Sequence, residues 1–420
     1  MNARARREKK KTFKKLRTQR GNVLERKTSL LFSKKMTTMR KIVLLGATGS
    51  IGENTLKVLD GHRDKAQLVG IAARSRWREL AEIARKYGVK NVAIFEETAA
   101  KEAESSGEFP AGTRFYTGEN GLCELAELPE ANLVVTAVVG TLGLRPTLAA
   151  IRSRKDVAVA SKEILVLAGR FVMNAVREYG VKILPVDSEH NAIFQCIGTE
   201  PQRHLDRIIL TASGGIFRDS RLEEMSRARP ADALKNPNWA MGPKVTVDSS
   251  TMANKGLELI EATWLFGLPQ EKIDIVVHPQ SIVHSMVKFT DGSVLAHLAP
   301  PSMTFPIQNC IFYPHRFAGV VPSLDFSQTL SLEFRAPDYE KYKCLRLARE
   351  CARAGGIAPA IFNAANEIAV DAFLRERVPY LAIPEIIEKT LAAFPLREPS
   401  SLEDVLAVDA GARLTASGLI

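Results

Sequence analysis

The chain has 420 residues, of which 45% are apolar and 25% charged, the balance of a folded globular protein. That length is more than one ordinary core accommodates and points to two or three domains. No apolar run reaches the length of a membrane span, and the five cysteines (Cys123, Cys196, Cys310, Cys344, Cys351) form no C-x-x-C pair, which argues for a reducing compartment and against a zinc site.

The net charge of +11 is unevenly placed: residues 1–40 hold 15 Lys/Arg against 2 Asp/Glu, and the remainder holds 43 against 45. This basic stretch lacks the apolar segment of a secretory signal. Its charge suits nucleic acid or an anionic membrane surface. Its composition suits a transit peptide, although the lysine blocks fit poorly. Met36 and Met39, just ahead of the first strand, suit a start codon set too far upstream, and that reading is favoured. In each case 1–40 is expected to be a disordered tail outside the fold.

Residues 41–45 read as a short buried strand, followed by Gly46-Ala-Thr-Gly49-Ser-Ile-Gly52 and a helix through Leu59. A second strand spans 67–73 and a helix 77–87; strands follow at 91–95, 133–139 and 157–160, with a helix over 144–153. Such βα alternation predicts an α/β fold with a parallel, doubly wound sheet of the Rossmann type across 41–186. After an apolar, strand-like 181–186 the texture changes. Strands at 207–211, 273–277, 281–289 and 293–298, mixed with a helix over 253–266, predict an α+β domain with an open, mostly antiparallel sheet. Beyond about Pro337 the pattern is helical, over 342–354, 358–375, 383–393 and 402–416.

Glycines spaced as at 46, 49 and 52, between strand and helix, let backbone amides approach a pyrophosphate at a helix N-terminus; a turn without ligand is the plain alternative. The second strand ends in Ala73-Arg74-Ser75-Arg76, where NAD-specific folds place an acid. Cations and a hydroxyl there suit a 2′-phosphate and predict NADPH, against a merely solvated basic turn. Asp187-Ser188-Glu189-His190 follows the strand at 181–186. In β-geometry Asp187 and Glu189 would point to one side, where they repel unless a cation lies between them. A hard divalent ion, Mg²⁺ or Mn²⁺, suits such all-oxygen ligands, and a solvated loop is the alternative. Asn254, Lys255, Glu258 and Glu261 share one broad helical face. Glu258 could complete a metal triad, and Asn254 and Lys255 could grip a phosphate or sugar hydroxyl; a plain amphipathic helix competes. Ser213-Gly-Gly215 has the form of an anion-cradling turn. Asn236-Pro-Asn-Trp239-Ala-Met241-Gly242 has the punctuation of a mobile lid with an apolar underside, or of a core-facing loop. His284 reads as a satisfied core histidine.

Together these motifs closely resemble the 1-deoxy-D-xylulose 5-phosphate reductoisomerase family, in order from about Lys41 to the C-terminus. The carriers are Gly46–Gly52, Ala160-Ser-Lys162-Glu163, Leu184-Pro-Val-Asp-Ser-Glu-His-Asn191, Ser213-Gly-Gly215, Pro237-Asn-Trp-Ala-Met-Gly242, Asp248-Ser-Ser-Thr-Met-Ala-Asn-Lys-Gly-Leu-Glu258 and His278-Pro-Gln-Ser-Ile-Val-His284. The resemblance implies an NADPH domain over 41–186, a catalytic domain over 187–322, a linker over 323–338 and a helical bundle over 339–420. It implies a homodimer acting on a small sugar phosphate, with NADPH and a divalent metal, needing neither membrane nor nucleic acid. The expected site is cytoplasmic, or plastid if the tail is a transit peptide. Position by position, it implies Asp187, Glu189 and Glu258 as metal ligands and Lys162 as a catalytic contact beside them. Substrate would meet Ser188, Ser213, Asn236, Trp239, Met241, Ser249, Asn254 and Lys255. NADPH would meet Thr48, Gly49, Ser50, Ile51, Ala73, Arg74, Ser75, Ser161, Glu163 and Gly242. Asn236, Ser161 and Ile216 depart from the His, Asn and Pro usual in the family. The resemblance implies a metal-assisted carbon-skeleton rearrangement of 1-deoxy-D-xylulose 5-phosphate and then its reduction by NADPH. The rivals are a related NADPH reductase lacking that rearrangement and a nucleic-acid-binding protein using its tail; a semialdehyde dehydrogenase would need a cysteine in a setting neither Cys196 nor Cys310 has.

Overall fold

Seven strands run parallel in order β4-β3-β2-β1-β5-β6-β7: β1 Arg40–Leu45, β2 Ala66–Ala73, β3 Asn91–Ile94, β4 Arg114–Thr117, β5 Leu133–Thr136, β6 Asp156–Val159 and β7 Ile183–Pro185. This computed structural model describes residues 39–235 and 241–420; residues 1–38 of the tail, and Asn236 and Trp239 of the lid, lie outside them. Where helices cover both faces the central strands are apolar, so Ile42 to Leu45 are fully buried, while Arg40 and Lys41 open β1 at a half-buried end. Helices Ser50–Asp60, Trp77–Tyr87 and Leu144–Arg152 lie where the apolar periodicity puts them. Glu97–Ser105 and Gly118–Ala126, with the short β4 between them, complete the wound sheet without a sequence expectation. The strand expected over 133–139 stops at Thr136, because 137–140 leave the sheet to meet the glycine turn. Gly46, at φ +93°, sits so close to that segment that a Cβ would lie 2.4 Å from the Ala137 carbonyl oxygen. Strand order reverses between β1 and β5, and the crevice at such a switch point is where α/β sheets take ligands.

A second sheet has the order β11-β10-β8-β9, formed by β8 Leu205–Ala212, β9 Ile273–Val277, β10 Val283–Phe289 and β11 Val294–Leu298. β10 is antiparallel to both β8 and β11, while β8 and β9 are parallel. β10 begins two residues later than expected because His278 ties off the preceding turn. Its Nδ1 donates to the Glu333 carbonyl at 2.8 Å, leaving Nε2 to accept from the Ile282 and Val283 amides at 3.2 and 3.1 Å. Helices Lys343–Ala354, Ala358–Leu374, Ala382–Ala392 and Leu402–Ser417 close the chain. They share a core with the second sheet, in which Leu257 and Ile260 join Leu345, Ala348 and Phe362. All five cysteines are free thiols, and among the described residues no helix is long and apolar enough to cross a membrane.

The helix Glu163–Tyr179 is a wall common to both halves. Ile164, Leu165, Leu167 and Val172 belong to the core of the first sheet, and Val166 to that of the second. Trp264, on the helix Ala253–Phe266, packs against both cores. It does so by laying its indole on Gly169, where an added Cβ would stand 2.4 Å from Trp264 Cδ1. Gly169→Ala sets a helix-propensity gain of up to about 1 kcal/mol against overpacking worth about 1–3 kcal/mol. Because a flat ring facing a helix backbone has little room to retreat, the expected outcome is net destabilisation, read as a lower urea midpoint at unchanged m-value.

Candidate active site

At the carboxyl ends of β1 and β5, between the two sheets, lies a cleft of about 360 Å³. The chain's glycine turn forms one wall. Gly49 caps the helix Ser50–Asp60 without a side chain, and Gly49, Ser50 and Ile51 face the cleft. A bare helix N-terminus of this kind fits a pyrophosphate. Val138, Val139 and Gly140 adjoin it, and Ser161, Lys162 and Glu163 continue the wall.

The opposite wall carries the charge. Asp187 and Glu189 do not lie on a strand, contrary to the β-geometry expected of them. β7 ends at Pro185, and Asp187 (φ −54°, ψ 132°) is the N-cap of the helix Ser188–Ile197, which places Glu189 in its first turn. Asp187 makes no side-chain cap bond because its carboxylate turns to Lys162. Glu258 reaches the same place from the helix Ala253–Phe266, and the oxygens of Asp187, Glu189 and Glu258 lie within 4.8 Å of one another. Two ammonium groups are threaded among them. Lys162 Nζ contacts Asp187, Glu258 Oε1 at 3.0 Å and Asn254 Oδ1 at 2.9 Å. Lys255 Nζ contacts Glu189 Oε1 at 2.7 Å and the second oxygen of Glu258. Three carboxylates offering only oxygen, Glu258 buried and Asp187 and Glu189 partly so, fit a hard divalent ion.

The electrostatics are uneven. Burial raises the Asp187 carboxyl, but Lys162 and then His190 outweigh it and hold the group well below the usual range. Burial and the nearby Glu258 lift Glu189 to about 7 despite Lys255. Burial also works against the Lys162 ammonium, yet Asp187, Glu258 and Glu261 keep it charged far above the ordinary value. Behind the triad, His190 is fully buried, with Nε2 2.8 Å from the Glu258 carbonyl and Nδ1 3.3 Å from Glu261. Glu261 thus faces His190 rather than the cleft. His284 lines the cleft; burial lowers its pKa to about 4, so the ring is neutral, with Nε2 3.1 Å from the Ala299 carbonyl.

Of the residues expected from sequence, Gly49, Ser50, Ile51, Ser161, Lys162, Glu163, Asp187, Ser188, Glu189, Ser213, Met241, Gly242, Ser249, Asn254, Lys255 and Glu258 all line this cleft. Thr48, Ala73, Arg74 and Ser75 do not. Ala73 ends β2, and exposed Arg74 is paired with Glu96, Nε to Oε1 2.9 Å. It is Arg76 that turns back to the glycine loop, donating to the Thr48 carbonyl. Sequence reasoning missed the loop 137–140, whose only signal was a glycine after an apolar run, and Met252, Ser281, Val283 and Met303.

Three family models match in succession: 1-deoxy-D-xylulose 5-phosphate reductoisomerase over 42–169, its C-terminal domain over 183–266, and the DXP reductoisomerase C-terminal domain over 298–415. The reductoisomerase of Chloroherpeton thalassium is 46% identical over 89% of this chain and 97% of its own. The chain belongs to the 1-deoxy-D-xylulose 5-phosphate reductoisomerase family. The Synechococcus enzyme of the same name is 49% identical over 89% of this chain and 96% of its own. A Zymomonas mobilis reductoisomerase solved in complex with NADPH superposes with a TM-score of 0.85 at 44% identity, covering 91% of this chain and 99% of that one. A DOX-P reductoisomerase in complex with NADPH, fosmidomycin and magnesium gives 0.85 at 38% identity, covering 90% and 98%.

Glu258→Gln keeps the side chain's volume and removes the charge of one of the three clustered carboxylates. Turnover is expected to fall at least about 100-fold with the circular dichroism spectrum unchanged; a variant retaining most of its activity would take Glu258 out of the triad.

Proposed function

We infer that the chain converts 1-deoxy-D-xylulose 5-phosphate to 2-C-methyl-D-erythritol 4-phosphate in isoprenoid synthesis, by a metal-dependent rearrangement followed by an NADPH-dependent reduction. The observation that carries this reading is the meeting in one cleft of a nucleotide-type glycine turn and an all-oxygen triad interleaved with two lysines. A divalent ion would supply Lewis-acid polarisation of substrate oxygens, and NADPH the hydride.

The protein's own side chains do the rest. Asp187, Glu189 and Glu258 would hold the ion. Lys162 sets a permanent positive charge beside the oxygens on which charge grows as one C–C bond breaks and another forms. Ser213, Ser249, Asn254 and Lys255, with Ser188, would hold the phosphate and hydroxyls. That binding energy, spent away from the reacting carbons, orients them. Met241, with Trp239 and Asn236, would cover the sugar phosphate and exclude water. On the far wall Gly49, Ser50 and Ile51 would take the pyrophosphate, and Ser161, Glu163 and Gly242 the nicotinamide end. Thr48, Ala73, Arg74 and Ser75 would border the adenosine, and Arg74 would leave Glu96 to meet a 2′-phosphate. The protein would act in the cytoplasm as a homodimer. Edge strand β11, with Val294 and Leu295 about half exposed, is the sort of surface a second copy covers.

The test is NADPH oxidation with 1-deoxy-D-xylulose 5-phosphate and Mg²⁺, by the full chain and by residues 39–420, before and after EDTA. Equal turnover by both, abolished by EDTA, is expected. A folded, NADPH-binding protein that does not turn over would refute the assignment.

A further inference from the structure

We propose that Lys244 is a positioning residue that couples cofactor binding to closure over the sugar phosphate, acting through the helix Pro243–Thr251. The proposal rests on the reading of the cleft given above. This helix has cleft residues at both ends: Met241 and Gly242 lead into it, and Ser249 lies near its end. Pro243 pre-sets the backbone at its first position, but the N-cap Gly242 has no side chain to bond the first turn, so no capping side chain ties the helix start to its surroundings. Lys244, the second helical residue, supplies the anchor. Its Nζ lies 3.0 Å from Glu163 Oε1 and 2.8 Å from Asp248 Oδ2. Asp248 stands one turn further along the same helix, and its other oxygen accepts from Asn366 Nδ2 at 2.9 Å.

The chain of contacts Glu163–Lys244–Asp248–Asn366 therefore runs from the cofactor wall, through the short helix, to the helix Ala358–Leu374. Glu163 is the first residue of the helix shared by the two halves and sits next to Ser161 and Lys162 in the cleft. A nucleotide seated there sets where its carboxylate points. The ammonium shared by Glu163 and Asp248 follows, and because Lys244 and Asp248 are i and i+4 on one rigid helix, the helix follows the ammonium. Met241 and Ser249 move with it, on the face that meets the sugar phosphate. A neutral side chain of equal length would fill the same volume and transmit nothing.

The coupling is measured by calorimetric titration of the full chain with 2-C-methyl-D-erythritol 4-phosphate and Mg²⁺, without and with saturating NADPH, a pair that cannot react together. The ratio of the two dissociation constants is the coupling factor, expected at about 5-fold or more for the wild type. Lys244→Met is expected to bring it to about 1 while NADPH binding alone changes by less than about threefold, and Lys244→Arg to restore most of it. Should Lys244→Met not fold, Asn366→Ala cuts only the far end of the chain and is expected to lower the factor. A wild-type factor near 1, or an unchanged factor in whichever variant folds, overturns the proposal. A wild type that binds NADPH but not the sugar phosphate would instead sink the functional reading beneath it.

Discussion

Three carboxylates brought within 4.8 Å of one another in a buried cleft are the constraint around which this protein is organised. At an effective dielectric constant of about 20, each such pair repels by roughly 3–4 kcal/mol, a sum comparable with the net stability of a whole domain. Without cations the triad would push its helices apart. Lys162 and Lys255 resolve the conflict from opposite sides, one carried at the head of the shared helix and the other on the helix that supplies Glu258. The carboxylates and ammonium groups thus come from three separate places in the chain, and the tertiary fold is what makes their charges cancel. A divalent ion entering this site meets ligands already converged, so little ordering remains to be done on binding.

Holding those parts in register requires the two halves to be fixed to each other. The helix Glu163–Tyr179 does this with alternate residues, Val166 serving one core and its neighbours Leu165 and Leu167 the other. The Gly169–Trp264 contact then locks the helix bearing Lys162 to the helix bearing Glu258. That contact lies just past Ala168, where the helix departs from helical geometry (φ −134°, ψ 28°), so it fixes the helix bearing Glu258 against the shared helix at its break.

Much of this was legible in the sequence because it depends on local chemistry. Glycine spacing marks the nucleotide turn, period-2 and period-3.6 apolar patterns mark most elements, and D-S-E with N-K-G-L-E marks the triad. What was not legible depends on partners distant in sequence. Asp187 and Glu189 converge at the start of a helix, as its N-cap position and first turn, rather than by strand alternation, since Pro185 ends β7 at the sheet edge. Residues 137–139 look like strand and leave the sheet only because Gly46 draws them in. Arg74 and Arg76 are equivalent in sequence; Glu96, 22 residues from Arg74, and the Thr48 carbonyl, 28 residues from Arg76, separate their roles. Nothing in the local sequence marks Lys244, whose partner Glu163 lies 81 residues earlier.

The shared helix also bears on how such proteins can diverge. A nucleotide-binding half whose own core ended at its boundary could be exchanged between relatives as a cassette. Here the seam includes an indole lying on a glycine, so a transplanted half brings Gly169 but leaves Trp264 behind. Chimeras between relatives are viable only where both sides of that seam are inherited together, and the two positions are expected to change in evolution as a pair or not at all.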